Sequence, residues 1–137
     1  MPSSIFELTS DLSVQEIAVS KRPVKAAANE ATTLTAAEAV NGIVTMTPST
    51  GRALTTPTGA ELKAFFGGPL EIGTAFELVV VNVAAATHAI TLTAAASGIT
   101  LGGVAGMATV AAATSVTYVF VCTAVGTPAF TVYCKNG

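Results

Sequence analysis

The feature that most constrains this chain is a long stretch without formal charge. From Leu78 to Cys134 the 137-residue sequence contains no Asp, Glu, Lys or Arg. Aliphatic residues alternate with threonine and alanine through most of this stretch. A period of two is typical of half-buried β-strands. The stretch therefore predicts several short strands, each with one aliphatic face and one neutral face rich in threonine.

A membrane span is the first alternative for such a stretch. Gly98, Gly102 and Gly106 form two overlapping GxxxG spacings, which are typical of helix packing in lipid. Threonines recur every few residues, however, so no run of about 18 strongly apolar residues exists. The sequence predicts no transmembrane helix, and we expect no membrane partner.

The charge balance excludes an electrostatic nucleic-acid binder. The chain has six Lys and Arg against eight Asp and Glu, with a net charge of -2 and no basic stripe. Neutralising phosphates requires clustered Lys and Arg, so we expect no nucleic acid as a partner. The sequence begins without a basic segment followed by an apolar run, so no secretory signal is expected.

Eight segments carry the strand pattern, separated by turns rich in glycine, alanine and serine. They are residues 42–47, 51–56, 74–82, 87–94, 99–101, 108–111, 115–123 and 129–135. Many short alternating strands with such turns are typical of an all-β protein. The sequence predicts an antiparallel β-sandwich of about eight strands.

Two short helical turns interrupt the strands. Thr35 and Thr58 are each followed three residues later by a glutamate, which is the spacing of a capping box. The Asn-Gly pair at 41–42 and the Gly-Gly-Pro run at 67–69 are stop signals for these two helices.

The first 30 residues differ in composition from the rest. Seven of the fourteen charged residues lie there, among scattered Ile, Leu and Val. Ser13 and Glu16 fit a capping box, but residues 15–19 also alternate as a strand would, and Pro23 ends either element. We predict an N-terminal arm over residues 1–30 and a β-sandwich domain over residues 31–137.

The sequence lacks the residues from which most active sites are built. It has one His, one Asp and two Cys, and none of the common nucleophile, zinc, calcium or phosphate-binding motifs. His88 alternates with Ile90 and Leu92 and is interpreted as a core or interface histidine. We expect no enzyme activity, no cofactor, no metal site, and no catalytic residue.

The two cysteines fall on successive predicted strands. If those strands pair, Cys122 and Cys134 lie on the same apolar face and could oppose each other. A disulfide across the hairpin is therefore one interpretation. Buried free thiols are the other, and we favour them because no export signal is expected.

The neutral strands also make a prediction about assembly. Soluble monomers usually place charges on strand edges to prevent edge-to-edge pairing, and this chain has none to place there over nearly half its length. Such faces must be covered by copies of the chain or by a partner. We predict an obligate homo-oligomer or a component of a larger shell.

Three segments together resemble a known group of proteins. They are "TLTAAEAVNGIVTMTPSTGRALTTPTGAEL" (33–62), "IGTAFELVVVNVAAATHAITLTAAASGITLGGVAGMATVAAATSVTYVFV" (72–121) and "PAFTVY" (128–133). They resemble small Thr/Ala-rich virion proteins of tailed phages and large DNA viruses, of the head-decoration or cement type. The resemblance implies a jelly-roll-like β-sandwich, commonly trimeric, that sits on a capsid lattice.

This resemblance predicts a bacteriophage virion structural protein that binds the outer capsid surface and stabilises the head by bridging major capsid subunits. The expected partners are the major capsid protein and further copies of this chain, as a trimer. The protein would be made in the host cytoplasm and reside on the capsid surface. The predicted capsid-interface residues lie in the arm: Ile5, Phe6, Leu8, Val14, Ile17, Val19, Lys21, Arg22 and Lys25.

The alternative function is a receptor- or glycan-binding module of a tail fibre or head spike. Sugar-binding surfaces usually present Trp or Tyr, and this chain has no Trp and two Tyr. Tyr133 is the candidate, because it alternates away from Phe130 and Val132. A third interpretation is a spacer domain of a larger adhesin.

Overall fold

The computed structural model describes residues 21–103 and 106–135. Within these residues the chain forms ten strands and two short helices. The strands are β1 (Val24–Ala26), β2 (Thr32–Thr33), β3 (Ile43–Met46), β4 (Arg52–Thr55), β5 (Ala75–Asn82), β6 (Ile90–Thr93), β7 (Ile99–Leu101), β8 (Thr109–Val110), β9 (Ser115–Ala124) and β10 (Ala129–Cys134). The helices are α1 (Ala36–Ala39) and α2 (Gly59–Phe66).

The strands form two sheets of mixed direction. The six-stranded sheet has the order β1-β3-β5-β9-β10-β7, and the four-stranded sheet has the order β2-β4-β6-β8. Strands β1, β3 and β5 are parallel neighbours, as are β2, β4 and β6. The pairs β5-β9, β9-β10 and β6-β8 are antiparallel, and β10-β7 is parallel.

The order of the strands along the chain explains this mixture. From β1 to β8 every odd-numbered strand joins the six-stranded sheet and every even-numbered strand joins the four-stranded sheet. The chain therefore winds between the two sheets. Up to β6, each strand that joins a sheet lies parallel to the strand that the chain placed in that sheet before it. The exceptions come afterwards, where β9 and β10 follow each other in one sheet as a hairpin.

The predicted antiparallel all-β sandwich, with its jelly-roll-like topology, is wrong. Strands make up 41% and helices 11% of the described residues, and the pairing is mixed, so the protein belongs to a mixed α/β class. Residues 47–51, between β3 and β4, have the length of a hairpin turn, yet the two strands they connect lie in different sheets. Alternation marks a half-buried strand but does not reveal its partner, and this is why the prediction failed.

The core lies between the two sheets and under the helices. Phe76, Phe120 and Phe130 are at its centre, and the rings of Phe76 and Phe120 stack with centroids 4.6 Å apart. Tyr118 is fully buried and its hydroxyl donates to the Met107 carbonyl oxygen at 2.9 Å. Burial raises the pKa of Tyr118 far above its ordinary value, so this hydroxyl stays protonated and keeps its hydrogen bond.

Both predicted helices are confirmed. In α1 the Thr35 side chain accepts from the Glu38 backbone N–H, and the Glu38 carboxylate accepts from the Thr35 backbone N–H. The same reciprocal pair caps α2 at Thr58. Asn41 and Gly67 both have positive φ and end these helices, as predicted.

The described part of the predicted arm joins the sheet. Strand β1 pairs with β3 from Val24 to Ala26, and the Ile43 N–H donates to the Pro23 carbonyl oxygen at 2.9 Å. Residues 1–20 lie outside the described residues, so the domain boundary at residue 30 stays a prediction.

Candidate interaction surface

The outer face of the six-stranded sheet is a broad, nearly neutral surface. Because β1, β3, β5, β9 and β10 lie side by side, their outward residues form continuous rows. We call the apolar part of this surface the valine face. It consists of Val24, Ile43, Val79, Val81, Val119, Val121 and Tyr133, which are half-buried or exposed.

The strand registers bring these residues together. Val24, Ile43 and Val79 are direct neighbours across three parallel strands. Val119 lies between Glu77 on one side and Tyr133 on the other. The inward residues of the same strands fill the core, so the outward ones are held in a fixed flat array.

The described part of this face carries three charged side chains, and both cations pair with the one carboxylate. Lys135 Nζ lies 2.8 Å from Glu77 Oε2, and Arg22 Nη1 lies 3.6 Å from Glu77 Oε1. Arg22 Nε also donates to the Asn41 carbonyl oxygen at 2.8 Å. The single carboxylate balances one of the two cations, so this charged trio keeps one net positive charge.

The hydrogen bond and charge of Lys135 lower the pKa of Glu77 below its ordinary value of 4.5, with a smaller contribution from Arg22. A lowered pKa means that the carboxylate stabilises the fold above the unfolded pKa, and that this contribution is lost as pH falls through the folded pKa. We expect an NMR titration to place the Glu77 pKa below 4.5. Lys135→Met should raise it, and Arg22→Met should raise it less. An equal rise in both variants would contradict this ranking.

Six of the nine predicted capsid-interface residues lie outside the described residues. These are Ile5, Phe6, Leu8, Val14, Ile17 and Val19. The other three lie at the edge of the six-stranded sheet, in or just before β1. Lys21 is exposed, Arg22 belongs to the charged trio, and Lys25 Nζ lies 2.9 Å from Glu38 Oε2.

The Lys25–Glu38 pair ties β1 to α1. The pKa of Glu38 is lowered first by the Thr35 backbone N–H and then by Lys25. Arg22 and Lys25 thus have acidic partners within their own chain. Breaking these surface ion pairs costs little free energy, because water solvates the separated charges. Whether these cations also contact a capsid protein stays a prediction.

His88 lies in the loop before β6 and is half-buried. Its backbone carbonyl accepts from Asn82 Nδ2 at 2.8 Å, so the contact that fixes this loop involves the main chain. The predicted strand from residue 87 begins only at Ile90. Among the described residues, no group of three His, Cys, Asp or Glu side chains could hold a metal ion.

The two cysteines are free thiols, as favoured from the sequence. Cys122 pairs with Phe130 and Cys134 pairs with Tyr118, so they lie at opposite ends of the β9-β10 hairpin. Four residues of strand separate them, about 13 Å, which exceeds the reach of a disulfide. The interpretation as a hairpin disulfide is wrong.

This arrangement predicts unequal thiol reactivity. Cys122 is buried and Cys134 is only half-buried. We expect a chromogenic disulfide reagent to label Cys134 first in the native protein and to reach Cys122 only on unfolding, because the reagent must contact the thiolate. Cys134→Ser should abolish the fast phase, whereas Cys122→Ser should leave it intact. A fast phase that persists in Cys134→Ser would contradict the assignment.

A shallow groove lies beside α2 in the described part of the chain. It is lined by Ala60, Lys63, Ala64, Gly67, Gly68 and Pro128. Lys63 is its single ionisable side chain, so it offers no converging chemistry. No described helix is long and apolar enough to cross a membrane.

The comparisons with known proteins add no relative. No family model, no curated protein and no solved structure matches this chain.

Sequence reasoning missed the valine face as a candidate site. The signal was present in the run Leu78 to Val81, where four successive aliphatic residues make both faces of β5 apolar. A strand with one solvated face would alternate with polar residues instead. Only the sheet order shows that the outward valines of β5 and β9 adjoin one another.

Proposed function

We propose that this chain is a virion structural protein that decorates and stabilises a capsid. The observation that carries the proposal is the valine face, a contiguous array of apolar side chains beside a charged trio that keeps one positive charge. Such a surface suits packing against protein, because it exposes apolar area together with a single charge that an acidic partner can pair. The resemblance to head-decoration proteins supports the particular setting.

The mechanism would be mechanical. Packed DNA presses outward on a viral head, and a protein that bridges neighbouring major capsid subunits adds contact area at joints that would otherwise open. An interface of about 800 Å² per partner, repeated over a lattice, is of the size that stable complexes use. The arm would supply the bridge by joining neighbouring copies through the apolar residues of segment 1–20, and Lys21 is an exposed cation beside it.

The test is the copy number of this chain in purified particles of the virus that encodes it, measured by quantitative mass spectrometry against the major capsid protein. Hundreds of copies in a fixed ratio are expected for a decoration protein. A few copies would indicate a tail or spike component. Absence from the particle would refute the virion proposal.

A second candidate function is glycan or receptor binding, and Tyr133 is the observation that favours it. This ring is 47% exposed and lies two strands away from Glu77, with Val119 of β9 between them. An exposed aromatic ring near a carboxylate is a common element of sugar sites. Glycan-array binding that is lost in Tyr133→Ala but retained in Phe65→Ala, at an equally exposed ring, would favour this function.

A further inference from the structure

The valine face needs an occupant, and its size limits what that occupant can be. The face is five strands wide and about six residues long, which gives about 20 Å by 20 Å, or about 400 Å². An extended segment of about eight residues is long enough to cross this face completely.

From these dimensions and from the composition of residues 1–20, we infer that this segment of one copy binds the valine face of a neighbouring copy. This inference rests on the proposed assembly role and names the contact through which copies join. The segment contains three apolar pairs spaced two apart, namely Phe6 and Leu8, Leu12 and Val14, and Ile17 and Val19. The first two pairs keep the same phase, so an extended chain would present Phe6, Leu8, Leu12 and Val14 to a sheet on one side.

The charges of the two partners are complementary. Segment 1–20 carries Glu7, Asp11 and Glu16 and has no Lys or Arg. The charged trio of the outer sheet face has two cations and one carboxylate. A carboxylate of the incoming segment can therefore pair with Lys135 or Arg22 while the aliphatic residues cover the valines. Opposite charges on the rims of an apolar contact fix its register.

The segment joins the described fold at the border of the outer face. Strand β1 is the edge strand of the six-stranded sheet, and Arg22 just before it is held by the Asn41 carbonyl oxygen and by Glu77. Residues 1–20 are therefore attached at the side of the sheet, where a neighbouring copy can approach.

The length of the segment is sufficient for this exchange. Twenty residues extend to about 66–72 Å. A compact 137-residue chain has a radius of gyration of about 14 Å and is therefore roughly 35–40 Å across. Binding of one copy's segment to the next copy's face is a head-to-tail contact, and such contacts form a ring, such as the predicted trimer, when the rotation between copies closes.

The test is complementation between two full-length variants, measured by sedimentation velocity. The face-blocked variant carries Val79→Lys and Val119→Lys, at outward positions that do not contribute to the core. The arm-blocked variant carries Leu12→Asp and Val14→Asp, which share one side of an extended segment. The control carries Thr91→Lys, at an exposed position of β6 in the other sheet. Thermal unfolding by circular dichroism confirms that each variant is folded.

We expect the wild type and Thr91→Lys to associate, and each double variant alone to associate at least about tenfold more weakly, because a charge enters an apolar contact. An equimolar mixture of the two double variants should form one-to-one dimers, since the intact segment of one binds the intact face of the other. Folded variants whose mixture stays monomeric would overturn the inference. So would a monomeric wild type, or self-association that persists in the arm-blocked variant.

Failure of this inference is distinguishable from failure of the proposed function. Complementation by a chain that is absent from virus particles would refute the decoration proposal alone. Hundreds of copies per particle without complementation would refute the segment exchange alone.

Discussion

Asn82→Leu is expected to lower the free energy of unfolding by about 3–5 kcal/mol, because it leaves three buried backbone groups without a partner. Asn82 is 1% exposed at the end of β5. Its Nδ2 donates to the carbonyl oxygens of His88 and Val110 at 2.8 and 2.9 Å, and its Oδ1 accepts from the Ala84 N–H at 3.0 Å. One side chain thus joins the six-stranded sheet to a loop and to β8 of the other sheet.

The measurement is equilibrium unfolding in urea, monitored by circular dichroism. Asn29→Leu makes the same chemical change at an exposed position, where water can replace the lost partners, and should cost less than about 1 kcal/mol. A loss in Asn82→Leu no larger than in Asn29→Leu would show that the buried amide does not hold the sheets together.

Gly59→Ala is expected to destabilise the protein by about 2–4 kcal/mol, although alanine is the better helix former. Gly59 is the first residue of α2, and a Cβ atom there would overlap the Pro128 carbonyl oxygen and lie 3.2 Å from the Gly98 Cα. Its N–H donates to the Ser97 carbonyl oxygen at 3.2 Å. Three backbone segments meet at this point, and two of them are also joined to each other, because the Phe130 N–H donates to the Gly98 carbonyl oxygen at 2.8 Å.

Gly126→Ala is the matched control, because a Cβ atom at that turn would meet no other atom within 4 Å. Urea unfolding of the two variants side by side should show a large loss for Gly59→Ala and a change within about 0.5 kcal/mol for Gly126→Ala. A stabilised Gly59→Ala protein would mean that α2 shifts freely on β10, against the close contact described above.

The local elements could be predicted from the sequence because their causes are local. Each capping box needs only a threonine and a glutamate three residues apart, and both boxes form as predicted. The pattern of Phe76, Leu78 and Val80 predicts the buried face of β5, and those residues are buried. The free state of Cys122 and Cys134 was favoured correctly, although the reason became visible only in the register of β9 and β10.

The partners of the strands could not be predicted, because strand pairing is a tertiary property. The short link at residues 47–51 suits either a hairpin or a crossing to the opposite sheet, and the structure adopts the crossing. The choice depends on which apolar faces can close one core together, and this involves residues far apart in the sequence, such as Val44 in β3 and Val132 in β10.

The same distinction between local and tertiary causes applies to the candidate surface. Charge, alternation and capping depend on neighbouring residues, so a neutral β-rich chain with two capped helical turns can be predicted from the sequence alone. The shared outer face of Val79, Val119 and Tyr133 with Glu77 and Lys135 exists only in the folded sheet. Their adjacency arises from the register between strands that lie up to 58 residues apart in the chain, and no local pattern records that register.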